Sequence, residues 1–167
     1  KTVDESNFGD GPLVRTETLD FDFGEDGAGS IKPNGSFMAK YEMGGLSEDI
    51  YSGGEKVEIS VDGNSYVGKL AGGDVVFSLD IDPLSGEYTY TQYIPIDHPK
   101  TDDYDDVIWL QFQVEICDAD GDTDVAVIGI DVHDSGVNTV VGSKVEVDES
   151  ALDPSDEASN VVTANFG

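Results

Sequence analysis

Basic residues are scarce in this sequence, which holds 8 Lys and Arg against 36 Asp and Glu and carries a formal net charge of −28. A surface of this sign repels the phosphates of nucleic acids, whose binding proteins depend on Lys and Arg contacts. It equally repels the anionic headgroups of membranes. Nucleic acids are therefore excluded as partners. Binding to an anionic membrane surface is also unfavourable.

Cysteine and long apolar segments are also nearly missing. The single cysteine, Cys117, has no second cysteine in the chain with which to form a disulfide. No apolar run approaches the roughly 18 residues of a membrane span, and no basic segment precedes an apolar stretch as it would in a signal peptide. We expect no membrane insertion and no signal peptide. The hydrophobic content of 38%, with 7 Tyr and 7 Phe, suffices for a packed core.

The excess of negative charge raises the question of what allows the chain to fold. Like charges brought together oppose the compact state, so the charge must be screened by salt or neutralised by bound cations. Carboxylate oxygens are hard ligands that favour Ca²⁺ or Mg²⁺ over softer metals. The composition therefore indicates a high-salt or calcium-rich setting.

Apolar and polar residues alternate along five segments, with the period of two that is typical of half-buried antiparallel strands. Turn signals rich in Gly, Asp, Asn and Pro separate these segments. We count eight or nine short strands and no amphipathic helix, which predicts an all-β fold of the β-sandwich type. The alternating apolar positions are Leu19, Phe21 and Phe23; Val57, Ile59 and Val61; Val75, Phe77, Leu79 and Ile81; Ile108, Leu110, Phe112, Val114 and Ile116; and Ala126, Ile128, Ile130 and Val132.

A short motif near the start of the chain recurs near its end. Val3-Asp4-Glu5-Ser6 reappears as Val147-Asp148-Glu149-Ser150, and Phe23-Gly24 reappears as Phe166-Gly167, at offsets of 144 and 143 residues. This pattern predicts a tandem array with a period of about 143 residues. Residues 1–147 would form one β-sandwich repeat, and residues 148–167 would be either the start of the next repeat or a terminal strand or tail of the same domain.

The strongest local signal is an acidic loop between two predicted strands. It places carboxylates at every second position, at Asp118, Asp120, Asp122 and Asp124. An EF-hand would carry Gly at the sixth loop position and Glu at the twelfth, whereas here the fourth is Gly121 and the twelfth is also glycine. The loop is therefore not an EF-hand. We predict a Ca²⁺ site, because clustered carboxylates repel one another without a cation; the alternative is a solvated acidic hairpin.

Three further acidic segments are candidates for metal binding: a loop after residue 96, a glycine-rich turn after residue 23, and the two copies of the repeated motif. His98, in the first of these, could be a metal ligand or a catalytic base, although a histidine beside proline is more often a hydrogen-bonding spacer. The candidate ligands are Asp97 and Asp102 in the first segment, Glu25 and Asp26 in the second, and Asp4, Glu5, Asp148 and Glu149 in the third.

Evidence for catalysis or sugar binding is weaker. Cys117 lacks a neighbouring base in the sequence that would lower its pKa. Acidic residues are so numerous that no single carboxylate pair indicates a glycoside hydrolase. Aromatic residues on strands usually belong to the core or to cross-strand pairs, although Tyr88, Tyr90, Tyr93 and Trp109 could line a sugar site. We therefore predict a protein that is not an enzyme.

Several motifs, in their order along nearly the whole chain, resemble the tandem repeats of RTX-type adhesins, the giant surface proteins that Gram-negative bacteria export by type I secretion. The resemblance implies an Ig-like or cadherin-like sandwich that binds Ca²⁺, joins neighbouring repeats end to end, and serves adhesion and biofilm formation. Cys117 departs from this family's usual lack of cysteine. The matching segments are the Val-Asp-Glu-Ser starts, 21–27, 86–90, 96–99 and 118–123.

These observations predict a secreted, monomeric, Ca²⁺-rigidified structural repeat at the bacterial cell surface. Its partners would be neighbouring repeats or ligand-binding modules of the same polypeptide, and a host or microbial surface ligand reached through the parent protein. The alternatives are a module that itself recognises a sugar or a peptide and, more remotely, a secreted carbohydrate-active enzyme. With Ig-like topology, we expect the loop 118–124 near Asp4 and Glu5, and the loop 97–106 at the opposite end near Asp148 and Glu149.

Overall fold

The structure, a computed structural model, describes residues 1–25, 27, 29–41, 45–47, 49–99 and 106–135. These residues form strands and one short 3-10 helix, Glu5–Asp10, which confirms the predicted all-β class. The strands are β1 (Thr2–Asp4), β2 (Leu13–Thr18), β3 (Ser30–Tyr41), β4 (Leu46–Ser47), β5 (Tyr51–Ser52), β6 (Glu55–Lys56), β7 (Glu58–Asp62), β8 (Ser65–Lys69), β9 (Val75–Ile81), β10 (Glu87–Gln92), β11 (Val107–Cys117) and β12 (Thr123–His133).

The strands form two five-stranded sheets that pack as an Ig-like sandwich, with β5 and β6 as a separate hairpin. The first sheet has the order β1-β12-β11-β3-β4, and the second has the order β2-β10-β9-β8-β7. All neighbours are antiparallel except β1 and β12, which pair in parallel. The chain thus begins in one sheet and crosses to the other through the 3-10 helix.

The inner faces of the sheets meet in a core that the alternating pattern predicted well. On β11, Ile108, Leu110, Phe112 and Val114 are completely buried. The ring of Phe112 lies 5.1 Å from that of Phe37 and 5.7 Å from that of Phe77, measured between centroids. Such aromatic contacts add to the free energy gained from burying the rings, so this cluster of rings stabilises the centre of the sandwich.

The predicted strand at residues 19–23 is wrong, because β2 ends at Thr18, and beyond it the N–H of Leu19 makes one last backbone hydrogen bond, to the carbonyl of Gly86 at 3.0 Å. Leu19, Phe21 and Phe23 nevertheless pack half-buried against the core. The ring of Phe21 leaves no room for a side chain at Gly86, where a Cβ would lie 2.4 Å from it. Alternation of apolar and polar residues indicates an extended chain with one buried face. Residues 19–23 have such a face although they do not pair with another strand.

Two other strands depart from strict alternation. Val57, just before the edge strand β7, is buried, whereas Val61 within β7 is 42% exposed. On β9, Val76 is fully buried next to Phe77, whereas the alternating pattern would expose it. Gly68 of β8 pairs with Phe77 and Lys69 pairs with Val75, so Val76 is an extra, unpaired residue of β9, and this bulge accounts for the change of phase.

The long hairpin β11–β12 defines the two ends of the sandwich. Its turn, which begins at Asp118, marks what we call the Asp118 end. Asp106 and Asp134, which flank the two strands, lie at the other end, which we call the His98 end. Each strand has 11 residues, so at about 3.3 Å per residue the two ends are separated by roughly 33 Å.

The expectation that the loop 118–124 lies near Asp4 and Glu5 is wrong. Because β1 runs parallel to β12, Asp4 lies opposite His133, at the far end of the hairpin from that loop. Glu5 follows it there and contacts the segment that contains His98. The part of the 97–106 loop that the structure describes does lie opposite the Asp118 end, as expected.

The sandwich belongs to a compact unit that spans Lys1–Gly136. The predicted boundary after residue 147, and Asp148 and Glu149 of the second motif copy, lie outside the described residues. The tandem arrangement therefore stays a prediction. Among the described residues there is no helix of the length and apolar character that a membrane span requires.

Candidate metal-binding sites

The turn at the Asp118 end is organised by its first carboxylate. Oδ1 of Asp118 accepts hydrogen bonds from the backbone N–H groups of Gly121 at 2.9 Å and Asp122 at 2.8 Å. Gly121 has φ = 102°, a conformation that glycine adopts at little cost. The local sequence Asp-Ala-Asp-Gly-Asp therefore folds its own backbone around Asp118.

This turn gathers three of the four carboxylates that the sequence predicts as ligands. One carboxylate oxygen from each of Asp118, Asp120 and Asp122 lies within 4.8 Å of the others. The pKa of Asp118 is lowered by a side-chain hydrogen bond with Asp120 and by backbone N–H donors of the turn. Carboxylates this close repel one another when ionised, and a bound cation would offset that repulsion. The fourth, Asp124, accepts instead from the N–H of Val125 at 2.8 Å.

A second loop is fixed against this turn by Gly29. A Cβ on Gly29 would lie 2.0 Å from the carbonyl oxygen of Cys117 and 2.5 Å from that of Asp118. Only glycine allows this close approach of two backbones. The N–H of Ala119 also donates to the carbonyl of Gly27 at 3.3 Å. The glycine-rich acidic turn and the Asp118 turn are therefore neighbours, which their sequence separation does not reveal.

Asp22 is the site residue that the sequence analysis missed. Asp22 and Phe23 line a hollow of about 150 Å³ together with Asp118, Asp122 and Asp124. Oδ1 of Asp22 accepts the N–H of Gly24 at 3.0 Å, an Asx turn that holds this carboxylate at the rim. The Asp-x-Gly spacing was the signal that could have identified it.

The predicted ligands of the glycine-rich turn are placed less favourably or lie outside the description. Glu25 is exposed in the turn and does not belong to the group of three converging carboxylates. Asp26 is outside the described residues, as is Asp102 of the other acidic loop. The metal-binding prediction for these residues remains a prediction.

At the His98 end, two predicted ligands have structural roles. Asp4 caps the 3-10 helix, where its Oδ1 accepts from the N–H of Ser6 at 2.9 Å and from its hydroxyl at 2.5 Å. This side-chain hydrogen bond lowers the pKa of Asp4. Asp97 accepts from the N–H groups of Gly53 and Gly54, at 2.7 and 2.6 Å, and so fastens the β5–β6 hairpin.

Glu5 is the buried member of the predicted set, with 3% of its surface exposed. Its Oε1 accepts hydrogen bonds from Gln92 and from the N–H of Ile96, and its Oε2 lies 4.0 Å from Nε2 of His98. Burial raises the pKa of Glu5 to about 7, despite these hydrogen bonds. His98 is therefore part of a polar group inside the end of the sandwich rather than a spacer in a solvated loop.

The aromatic residues that could line a sugar site are not brought together. Tyr88 and Tyr90 are buried in the core, whereas Tyr93 is 46% exposed. Trp109 lies on the other sheet, on the face opposite its buried neighbours, with Nζ of Lys40 5.5 Å from its ring centroid. Side chains that point into the core and out of the opposite sheet cannot form one binding surface.

Fold and sites together define a class of protein: an acidic Ig-like sandwich with a carboxylate cluster at one end and a buried carboxylate–histidine group at the other. The chain belongs to the family described as a domain of unknown function, DUF5801, whose model matches residues 1–131. No curated protein matches it, and neither does any solved structure.

Proposed function

We propose that this protein is a non-enzymatic, Ca²⁺-binding structural repeat of a secreted bacterial surface adhesin. The observation that carries the proposal is the convergence of Asp118, Asp120 and Asp122 in one turn. Asp22 from a second loop lines the adjoining hollow. A cation bound there would join two loops that are far apart in the sequence.

The ligand chemistry favours calcium over other metals. Every candidate donor at the Asp118 end is an oxygen, and the Asp120 and Asp122 side chains are exposed to water. Ca²⁺ takes 6–8 oxygen ligands in flexible geometry and readily completes its shell with water and backbone carbonyls. The exposure of the site suits the weak affinity of extracellular modules, with dissociation constants of roughly 10⁻⁴ to 10⁻³ M.

The adhesin role rests on the charge and on the resemblance of the motifs to RTX repeats. A net charge of −28 makes neighbouring copies repel one another, and divalent cations at their ends would offset that repulsion. The partners would be neighbouring repeats or modules of the same polypeptide, and a surface ligand would be reached through the parent protein. The repeat itself would be monomeric and would act in adhesion or biofilm formation.

Calcium titration of variants tests this function. Isothermal titration of the chelator-treated chain with Ca²⁺ should show binding that the combined variant Asp118→Asn, Asp120→Asn and Asp122→Asn abolishes. The matched control is Asp62→Asn, Asp74→Asn and Glu87→Gln, which removes the same charge from exposed positions elsewhere. Equal loss of binding in both triple variants, or no binding to the wild type, would refute the proposal.

The alternative of a ligand-binding module is favoured by one feature, a groove of about 430 Å³ beside β3 and β7. Phe37 and Ile59 form part of its wall, and the ion pair of Lys56 with Asp49, at 2.7 Å, lies along it. A glycan array and a peptide library would test it. A ligand whose binding is lost in Lys56→Ala but retained in the triple Asp118 variant would support this second function.

A further inference from the structure

The imidazole ring of His98 is buried at one end of the sandwich. Its side chain is 3% exposed, and neither ring nitrogen has a hydrogen-bond partner among the described residues. Buried polar groups are nearly always hydrogen-bonded, because leaving one unsatisfied costs free energy. An imidazole in this state requires an explanation that packing alone does not supply.

The carboxylate of Glu5, which is 2% exposed at its side chain, lies beside this imidazole. Gln92 and Ile96 both donate to Oε1. Oε2 is left facing Nε2 of His98 at 4.0 Å, which is too long for a hydrogen bond. Both atoms therefore face a common space without bonding to each other.

A third ligand atom faces the same space. One carboxylate oxygen of Asp134 lies within 4.8 Å of ligand atoms of Glu5 and His98. The backbone N–H of Asp134 donates to the carbonyl of Asp106 at 3.0 Å, which fixes the chain just after β12. The three side chains come from three separate segments: the end of β1, the loop after β10, and the end of β12.

We propose that Glu5, His98 and Asp134 bind a divalent transition-metal ion of the Zn²⁺ class. One imidazole and two carboxylates form the donor set of borderline metals, whereas Ca²⁺ and Mg²⁺ take oxygen ligands. Two carboxylates also balance the charge of a divalent ion, which an interior position requires. This site lies at the opposite end of the sandwich from the Asp118 cluster, is more buried, and would bind a different ion.

The distances fit this assignment after a small contraction. The three ligand atoms lie within 4.8 Å of one another, so an ion at their centre would be at most about 2.8 Å from each, whereas Zn–N and Zn–O bonds are about 2.0–2.2 Å. Each ligand would therefore move inward by at most roughly 0.6–0.8 Å. Glu5 is held by hydrogen bonds at Oε1 only, so its Oε2 can make this movement, and water can supply a fourth ligand beside the half-exposed Asp134.

The experiment is a Zn²⁺ titration of the chelator-treated full chain, followed by the ¹⁵N chemical shifts of the histidine rings. The wild type should bind one Zn²⁺ in this site and shift the ring nitrogens of His98 but not those of His133. His98→Gln and Asp134→Asn should each weaken binding at least tenfold, whereas His133→Gln, the matched control, should not. The wild-type spectrum decides the question even where a variant fails to fold.

The outcomes separate this site from the proposed calcium function. The triple Asp118 variant should retain Zn²⁺ binding, and His98→Gln should retain Ca²⁺ binding. Unchanged His98 shifts in the wild type at a tenfold excess of Zn²⁺, or equal weakening by His98→Gln and His133→Gln, would overturn the zinc assignment. Loss of Ca²⁺ binding alone would leave it standing.

Discussion

The two ends of the sandwich carry the same kind of charge in opposite environments. At the Asp118 end, exposed carboxylates belong to a turn that organises its own backbone, and two loops meet through glycine. At the His98 end, a carboxylate and an imidazole are enclosed by segments from β1, β10 and β12. Burial and donor type, rather than the number of acids, distinguish the proposed calcium site from the proposed transition-metal site.

Among single substitutions at the two ends, Gly29→Ala at the Asp118 end should have the largest effect on stability. Its Cβ would collide with the carbonyl oxygens of Cys117 and Asp118, so the two loops must separate. Overpacking against backbone costs 1–3 kcal/mol and occasionally more, and we expect about 3 kcal/mol lost from the free energy of unfolding, with weaker Ca²⁺ binding. Chemical denaturation and calcium titration measure the two effects.

Gly129→Ala is the control for that substitution, because a Cβ at Gly129 meets no atom within 4 Å. Glycine in a strand interior weakens the strand, so this variant should be neutral or slightly stabilising. If Gly29→Ala were as mild as Gly129→Ala, the close approach of the two loops would be wrong.

The second prediction concerns the pH dependence of stability that the buried carboxyl of Glu5 causes in the metal-free protein. The pKa of Glu5 rises from 4.5 to about 7 on folding. Between pH 4.5 and pH 7, the Glu5 carboxyl is therefore protonated in the folded chain and ionised in the unfolded chain. Stability from this group is present below pH 4.5 and is lost as the pH rises through about 7. The loss amounts to roughly 3 kcal/mol.

Glu5→Gln provides the reference for that measurement, because its side-chain oxygen can still accept from Gln92 and Ile96. The pKa of His98 is lowered by burial, which acts in the opposite direction below pH 6.5, so the difference between wild type and variant is the informative quantity. In chelator, wild type should lose stability relative to Glu5→Gln from pH 5 to pH 8. A constant difference would show that Glu5 does not titrate there. The other groups that act on Glu5 and His98 are Asp97, Asp106, His133 and Asp134.

The third prediction concerns calcium and the thermal stability of the folded chain. Ca²⁺ at one hundred times its dissociation constant should add about 2.7 kcal/mol per site. The melting temperature should therefore fall by about 10 °C in chelator. Differential scanning calorimetry measures this shift, and the triple Asp118 variant should melt at the same temperature with and without calcium. A wild-type melt that chelator leaves unchanged would contradict the calcium proposal.

A smaller effect should separate Asp22 from Asp124 at the Asp118 end. Asp22 is held at the rim of the hollow by Gly24, whereas Asp124 bonds to its own strand at Val125. Asp22→Asn should weaken Ca²⁺ binding several-fold, and Asp124→Asn less than twofold. If a calcium titration showed weaker binding for Asp124→Asn than for Asp22→Asn, the ion would have to lie beside Asp124 rather than beside Asp22.

The strands of the long hairpin could be predicted because their pattern is local. Alternation along 107–117 and 123–133 needs only two faces of different polarity, and both strands were predicted in the correct phase. The segment from Leu19 to Phe23 has the same alternation without a partner strand. Pattern therefore predicted burial more reliably than strand pairing.

The composition of the candidate sites was harder to predict, because it depends on pairing over long sequence separations. The parallel pairing of β1 with β12 places Glu5 at the His98 end. The prediction from Ig-like topology had placed Glu5 at the opposite end, near the loop 118–124. Asp22 and Asp118 line one hollow, and Gly29 packs against the backbone of Cys117 and Asp118; neither contact leaves a periodic signal in the sequence. The three carboxylates of the Asp118 turn, in contrast, lie within five residues and were all predicted.

The most direct test of the calcium proposal is a Ca²⁺ titration of the wild-type chain followed by amide ¹H–¹⁵N shifts. The amides of Gly121 and Asp122, which bond to Asp118, and that of Gly24, which bonds to Asp22, should shift together with one dissociation constant. The amides of Gly53 and Ile96, at the His98 end, should not move in that range. Shifts confined to Gly53 and Ile96, or no saturable shift at Gly121, would contradict the account.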